Sequence, residues 1–181
     1  TLAGLACAIL AAVAMLSLFS CGENGQAGNK NRHHMDNKDL KTIYLAGGCF
    51  WGVQAYMKKL PGVIETETGY ANGKTEYVTY EEVCKKDTGH AETVRVVYDP
   101  EILPLEILLK AFFEVVDPTQ LNQQGGDIGT QYRNGLFYVE EVDRAVIEQM
   151  IEYLQKINQK PVVTEVKPLE NFCAAEEYHQ H

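Results

Sequence analysis

Thr42-Ile43-Tyr44-Leu45-Ala46, followed by Gly47-Gly48-Cys49-Phe50-Trp51-Gly52, sets the frame of this chain. The first five residues are β-branched, aromatic or apolar, as in a buried strand. Beyond the glycines, Phe50, Val53, Met57 and Leu60 recur at near-helical spacing until Pro61-Gly62 stops them. A thiol therefore sits at a strand-to-helix turn, where free backbone N–H groups and the helix dipole favour an anion. The expectation is a stabilised Cys49 thiolate beside two glycines that let a ligand come close. A second reading stays open, because free cysteine is among the most buried residue types and Cys49 would then be plain core.

Further along, Val63 to Tyr70 alternates like a half-buried strand and breaks at Ala71-Asn72-Gly73-Lys74. A short helix is expected over Thr79 to Lys85, with Thr79 as its cap and Glu81 and Glu82 in the first turn. Ala91 to Tyr98 reads as a strand with Val94, Val96 and Tyr98 on one face. Leu105, Leu108, Leu109, Phe112 and Val116 mark a helix from Pro104 to Asp117-Pro118. The polar loop Leu121 to Gln131 is too long for a simple turn and is a functional candidate. Leu136 to Val139 reads as a strand, Val142 to Ile157 as the longest helix and Val162 to Val166 as a last strand. Strands and helices in this order predict one α+β domain, a mixed sheet flanked by helices.

The 181 residues and 45% apolar content allow one ordinary domain plus extra segments. A formal charge of −9 argues against sequence-independent nucleic-acid binding, which needs a Lys and Arg surplus. Leu2 to Phe19 is almost wholly apolar and leads into Ser20-Cys21-Gly22. Residues 1–21 resemble a bacterial secretory signal with a lipobox. That resemblance implies lipid on Cys21 and an exported, membrane-attached lipoprotein of a bacterial envelope. The chain opens on Thr1 without the positive charge such a signal carries, so its true beginning is expected upstream. A plain transmembrane anchor is the alternative. Residues 22–39 read as a flexible linker, and His33-His34 within it as solvated. The domain is then 40–181.

Gly47-Gly48-Cys49-Phe50-Trp51-Gly52, Gly69-Tyr70, Thr79-Tyr80-Glu81-Glu82-Val83, Gly89-His90-Ala91-Glu92 and Gly129-Thr130-Gln131-Tyr132-Arg133 occur in this order. Together they closely resemble the A-type peptide methionine sulfoxide reductases, and Glu176-Glu177-Tyr178-His179-Gln180 resembles that family's late motif. The likeness covers the body of the chain from about Lys41. It implies the ferredoxin-like two-layer core of that family. It also implies thiol-dependent reduction of methionine S-sulfoxide, free or in oxidised proteins, with no metal and no cofactor.

Under that resemblance Cys49 is the nucleophile and Glu92 the acid, whose neutral form an apolar pocket favours. Tyr80 and Tyr132 are hydroxyls that bond the sulfoxide oxygen. Phe50 and Trp51 wall the S-methyl group, and Asp127 is a further polar contact. His90 and His179 are supporting residues. The sulfenic acid left on Cys49 calls for a second thiol. With Cys7 and Cys21 in the leader, Cys84 is read as buried and inert. Cys173, in a mobile region, is the resolving candidate. Relatives often place recycling cysteines in a glycine-rich tail after the late motif, which this chain, stopping at His181, does not show. Thioredoxin-like donors are the implied partners. Some relatives continue into a B-type reductase for the other epimer, and nothing in this chain shows one.

Three rival readings remain. Cys49 with His90 would make an acyl-transfer or thioester hydrolase. A surface lipoprotein would use Cys49 structurally. A metal site on Cys49, Cys84, His90 and Cys173 lacks any zinc-type spacing.

Overall fold

The structure is a computed structural model that describes residues 40–180. The expected signal and linker, with Cys21, lie outside the described residues.

Strand β1 (Lys41–Ala46) leads through the glycine pair into helix α1 (Phe50–Met57). Strand β2 (Val63–Ala71), helix α2 (Tyr80–Lys85) and strand β3 (Ala91–Tyr98) follow. Helix α3 (Leu105–Phe113) stops short of the expected Asp117-Pro118. The long loop folds into two paired strands, β4 (Gln123–Gln124) and β5 (Asp127–Ile128), and a 3-10 turn at Thr130–Tyr132. Strand β6 (Gly135–Tyr138) and helix α4 (Glu141–Ile157) match expectation.

The end of the chain departs from it. Val162 to Thr164 has the β-branched look of a strand, yet Val162 N–H donates to Gln155 Oε1 and Val163 N–H to the Pro118 carbonyl. Ladder pairing begins only with β7 (Glu165–Pro168), parallel to β6. One more strand, β8 (Phe172–Ala174), adds to β2.

The main sheet has six strands in the order β7-β6-β1-β3-β2-β8, mixed because only β6 and β7 run parallel. Alternation along β1 sorts its residues by face. Ile43 and Leu45 join the main core with Phe50, Met57, Leu109, Phe112 and Ile147, between the sheet and the helices. Tyr44 and Ala46 join a smaller cluster with Phe137, packed against Leu169 and Phe172. On β3, Val94, Val96 and Tyr98 face the main core, and by the same alternation so does Glu92. A carboxyl thus occupies a core position, only 2% exposed.

Candidate active site

Cys49 is the N-cap residue of α1. Gly48 holds φ at 77°, in the left-handed region that favours glycine, and its N–H donates to the Tyr132 carbonyl at 3.2 Å. That bond ties the 3-10 turn to the cysteine. The glycine pair lines a cavity together with Cys49, as expected of backbone that a ligand can approach, and it also allows close packing behind. A Cβ on Gly47 would meet Val116 Cγ1 at 2.7 Å, and one on Gly48 would meet Gln124 Cβ at 2.6 Å. The missing side chains also admit Val116, beyond the end of α3, and the β4–β5 hairpin.

Cys49 is half-buried, and burial pushes its thiol above the ordinary value. The N–H groups of Trp51 and Gly52 pull the other way, while charge on Glu92 and Asp127 pushes up again. The expected thiolate stabilisation is therefore corrected in sign, because lost solvation and facing carboxylates outweigh the helix end. Ionisation is easier whenever Glu92 holds its proton.

Glu92 is only 2% exposed, and its Oε2 accepts from Phe50 N–H at 3.1 Å. Burial raises its pKa to about 7, opposed by the Phe50 N–H and helped by Asp127. This is a carboxyl able to keep a proton near neutrality, beside the residue that follows the thiol.

Tyr80 opens α2, whose cap is the expected Thr79 in a reciprocal capping box with Glu82. The Cys84 sulfur against its hydroxyl, and then burial, hold Tyr80 above the ordinary phenol range. Burial, then charge on Glu92, push Tyr132 up to about 12. Both phenols stay protonated at working pH, and both feel Glu92. Phe50 is 2% exposed, its ring centroid 5.8 Å from that of Tyr70 and 5.3 Å from that of His179. Trp51 is 48% exposed, and its Nε1–H donates to the His179 carbonyl at 3.1 Å. Of the two expected walls, Trp51 is exposed and Phe50 is buried.

A cavity of about 460 Å³ reaches Cys49, lined also by Gly52, Val53, Val115, Gln124 and Asp127. Its lining includes none of Phe50, Trp51, Tyr80 or Tyr132. Among the candidates, Asp127 alone shares it with Cys49.

The chain end contributes more than the sequence suggested. Glu176 Oε1 accepts from Tyr80 N–H at 2.9 Å, and its Oε2 from the Tyr70 hydroxyl at 3.0 Å. Burial works against the Glu176 carboxylate, but those donors and its own N–H keep it below the usual range. His179 is buried among the rings of Phe50, Trp51, Tyr80 and Tyr178. The late motif is thus a clasp behind the site, and Glu176 is the residue that reading the motif alone passed over. Its signal was a carboxylate a few residues past a short apolar strand. Glu176→Ala is expected to lower kcat/KM about tenfold, mostly through KM, since each lost buried bond is worth about 1–3 kcal/mol. Glu176→Gln should restore part of this, and steady-state kinetics on free methionine sulfoxide would measure both.

Two cysteine expectations change. Cys84 is exposed, not buried, because it lies on the outer side of α2 against Tyr80. Cys173 is held in β8 opposite Tyr70, its sulfur 3.8 Å from the Val78 carbonyl, so it sits in a ladder and not in a loose segment. His90 is buried, with Nε2 2.9 Å from the Thr75 carbonyl, and it braces the 73–75 turn instead of pairing with Cys49. Among the described residues no cluster of His, Cys, Asp or Glu is placed to hold a metal ion.

Residues 41–181 match the family model for peptide methionine sulfoxide reductase. The peptide methionine sulfoxide reductase MsrA of Lachnoclostridium phytofermentans is 55% identical over 140 residues, 77% of this chain and 84% of that protein. Reduced Mxr1 from Saccharomyces cerevisiae superposes with a TM-score of 0.75 at 38% identity, covering 80% of this chain and 84% of that one. Mxr1 in complex with Trx2 gives 0.59 at 28% identity, covering 80% and 86%. A fold, a thiol with a buried acid, and a family match over most of the length agree: the chain belongs to the peptide methionine sulfoxide reductase family.

Proposed function

We propose that this protein reduces methionine S-sulfoxide, free or in oxidised proteins, to methionine through Cys49, drawing its electrons from thiols. The observation that carries this reading is the buried Glu92, with a pKa near 7, bonded to the N–H of the residue after Cys49. The Cys49 sulfur bonds to the sulfoxide sulfur while the oxygen takes a proton from Glu92. The resulting hydroxyl then passes to the Cys49 sulfur as the S–O and S–S bonds break. The S–S electron pair stays on the substrate, leaving a sulfenic acid on Cys49 and a thioether. Glu92 supplies the proton that the oxygen needs as its charge grows, and Tyr80 and Tyr132 donate to the same atom. Trp51 takes the apolar methyl end, a contact worth about 1–3 kcal/mol, and Asp127 borders the approach. The test is turnover of each sulfoxide epimer with dithiothreitol, against ester substrates. Reduction of the S epimer alone supports the reading, and ester cleavage without reduction would reject it.

The sulfenic acid condenses with the Cys173 thiol, releasing water and forming a disulfide, which a thioredoxin-like dithiol then reduces. The Mxr1–Trx2 complex supports a donor of that kind. Glu92, Tyr70 and Cys173 lie in one row across β3, β2 and β8. Two strand spacings put Cys173 Cα about 10 Å from Glu92 Cα. A Cys49–Cys173 disulfide needs the Cα atoms of those two residues within about 7 Å, and Cys173 lies on β8, a three-residue edge strand. Cys173→Ser is expected to give one turnover with a thioredoxin donor and then stall, while dithiothreitol still recycles the enzyme. Sustained thioredoxin-driven turnover would remove Cys173 from the cycle.

Cys21, behind the apolar run Leu2 to Phe19, is the proposed acceptor of lipid, which would hold the domain on the outer side of a bacterial membrane. Palmitate labelling that survives Cys21→Ala would rule this out. A B-type reductase, fused or separate, would complete repair of the other epimer.

A further inference from the structure

The cavity beside Cys49 does not end there. Val115 and Gln124 line it and also line a second recess of about 620 Å³, formed where α3 and α4 end. Gln124 is fixed at this junction, its Nε2 donating to the Asp117 carbonyl at 2.7 Å and to Asn134 Oδ1 at 2.8 Å. Val115 is 45% exposed at the same point. The two recesses therefore adjoin at Val115 and Gln124, and together they form a track from the thiol, past Asp127, to the ends of α3 and α4. Either recess is already in the size range of a small-ligand site, so the two joined exceed what one free amino acid would fill.

We propose that this track seats the polypeptide on one side of the oxidised methionine, with the chain extended along it. The inference rests on the reading of Cys49 as the atom that attacks the sulfoxide, which fixes where the substrate's side chain must end. Continuity with that atom decides the occupant. A donor thiol must also reach Cys49, but it needs no recess beyond it, whereas a chain carrying methionine sulfoxide has to lie somewhere next to the thiol. The chemistry of the far recess fits main-chain recognition. At the ends of α3 and α4 the recess is lined by Glu114, Asp117, Thr119, Asn158, Gln159 and Lys160. These side chains offer both acceptors and donors, suited to the N–H and carbonyl groups of an extended chain. Such a track holds many sequences about equally, as an enzyme acting on scattered damaged methionines requires.

Glu114→Trp and Gln159→Trp narrow the far recess, at exposed positions that do not line the cavity of Cys49. Two substrates are compared: free methionine S-sulfoxide, and an unstructured ten-residue peptide with one central methionine S-sulfoxide. Each variant should lose about tenfold in kcat/KM on the peptide, carried by KM, and stay within twofold of wild type on the free amino acid. Binding of the same peptide, fluorescently labelled, to catalytically silent Cys49→Ser protein should weaken by a similar factor when either tryptophan is added. Equal losses on both substrates, or no loss on the peptide with unchanged binding, would overturn the proposal. Failure of wild type to reduce either substrate would instead reject the proposed reaction, and the binding arm would still decide the track.

Discussion

Cys49→Ser is expected to abolish methionine sulfoxide reduction, a loss of about 10⁴-fold or more, the scale on which enzymes lose their nucleophile. Serine keeps the shape of the helix N-cap and is a good capping residue there, so the fold should persist. What goes is a polarisable sulfur able to accept the oxygen. Cys84 and Cys173 remain free thiols in this variant. If the variant retains a substantial rate with dithiothreitol, one of them, and not the thiol at the start of α1, carries the chemistry. Reduction assays on the pure S epimer, with far-UV circular dichroism to confirm folding, give the answer.

Glu92→Gln is expected to slow the chemical step by 10²–10⁴-fold, the usual worth of a positioned proton donor, and to leave KM nearly unchanged. Glutamine can still accept from Phe50 N–H, so the local geometry survives, but it has no proton to give. The pH dependence sharpens the point. A pKa near 7 means that wild type loses the protonated acid as pH rises through neutrality, while the raised thiol pKa of Cys49 limits the acid side. The single-turnover rate should therefore be bell-shaped, and the alkaline fall should vanish in Glu92→Gln. Stability must move with it. The folded protein holds this proton more tightly than the unfolded chain, whose carboxyl titrates near the ordinary value of 4.5. Wild type should lose stability as pH climbs from that value to about 7, by about 3 kcal/mol, and level off above. Glu92→Gln should lack this slope in urea titrations at pH 5 and pH 8. A slow variant that keeps the slope would mean that Glu92 acts by shape alone.

Much of the site was written in local pattern. The Thr42–Ala46 strand, the break at Pro61-Gly62 and the Thr79 cap are short-range signals, and each element forms where its residues ask for it. Glu92 could be marked as an acid, but its pKa depends on neighbours from α1 and the β4–β5 hairpin, which no stretch of β3 contains. Cys49 shows the limit best. Helix-end position argued for a thiolate, and only the packed structure reveals the burial and the two carboxylates that reverse the sign. β8 was invisible for a different reason. Three residues with a central cysteine carry no period, and the strand exists because β2 offers an edge. The clasp by Glu176 and His179 has the same character, since both contact residues more than ninety positions away.

The most direct measurement mixes reduced protein with one equivalent of methionine S-sulfoxide, without added reductant, and locates the oxidised sulfur by mass spectrometry within a single turnover. One methionine should appear per protein. A sulfenic acid should form on Cys49, trapped by a dimedone probe in Cys173→Ser protein and passing to a Cys49–Cys173 disulfide in wild type. Methionine released while Cys49 stays reduced, or oxygen found first on Cys84 or Cys173, would contradict the assignment of this sulfur as the attacking atom.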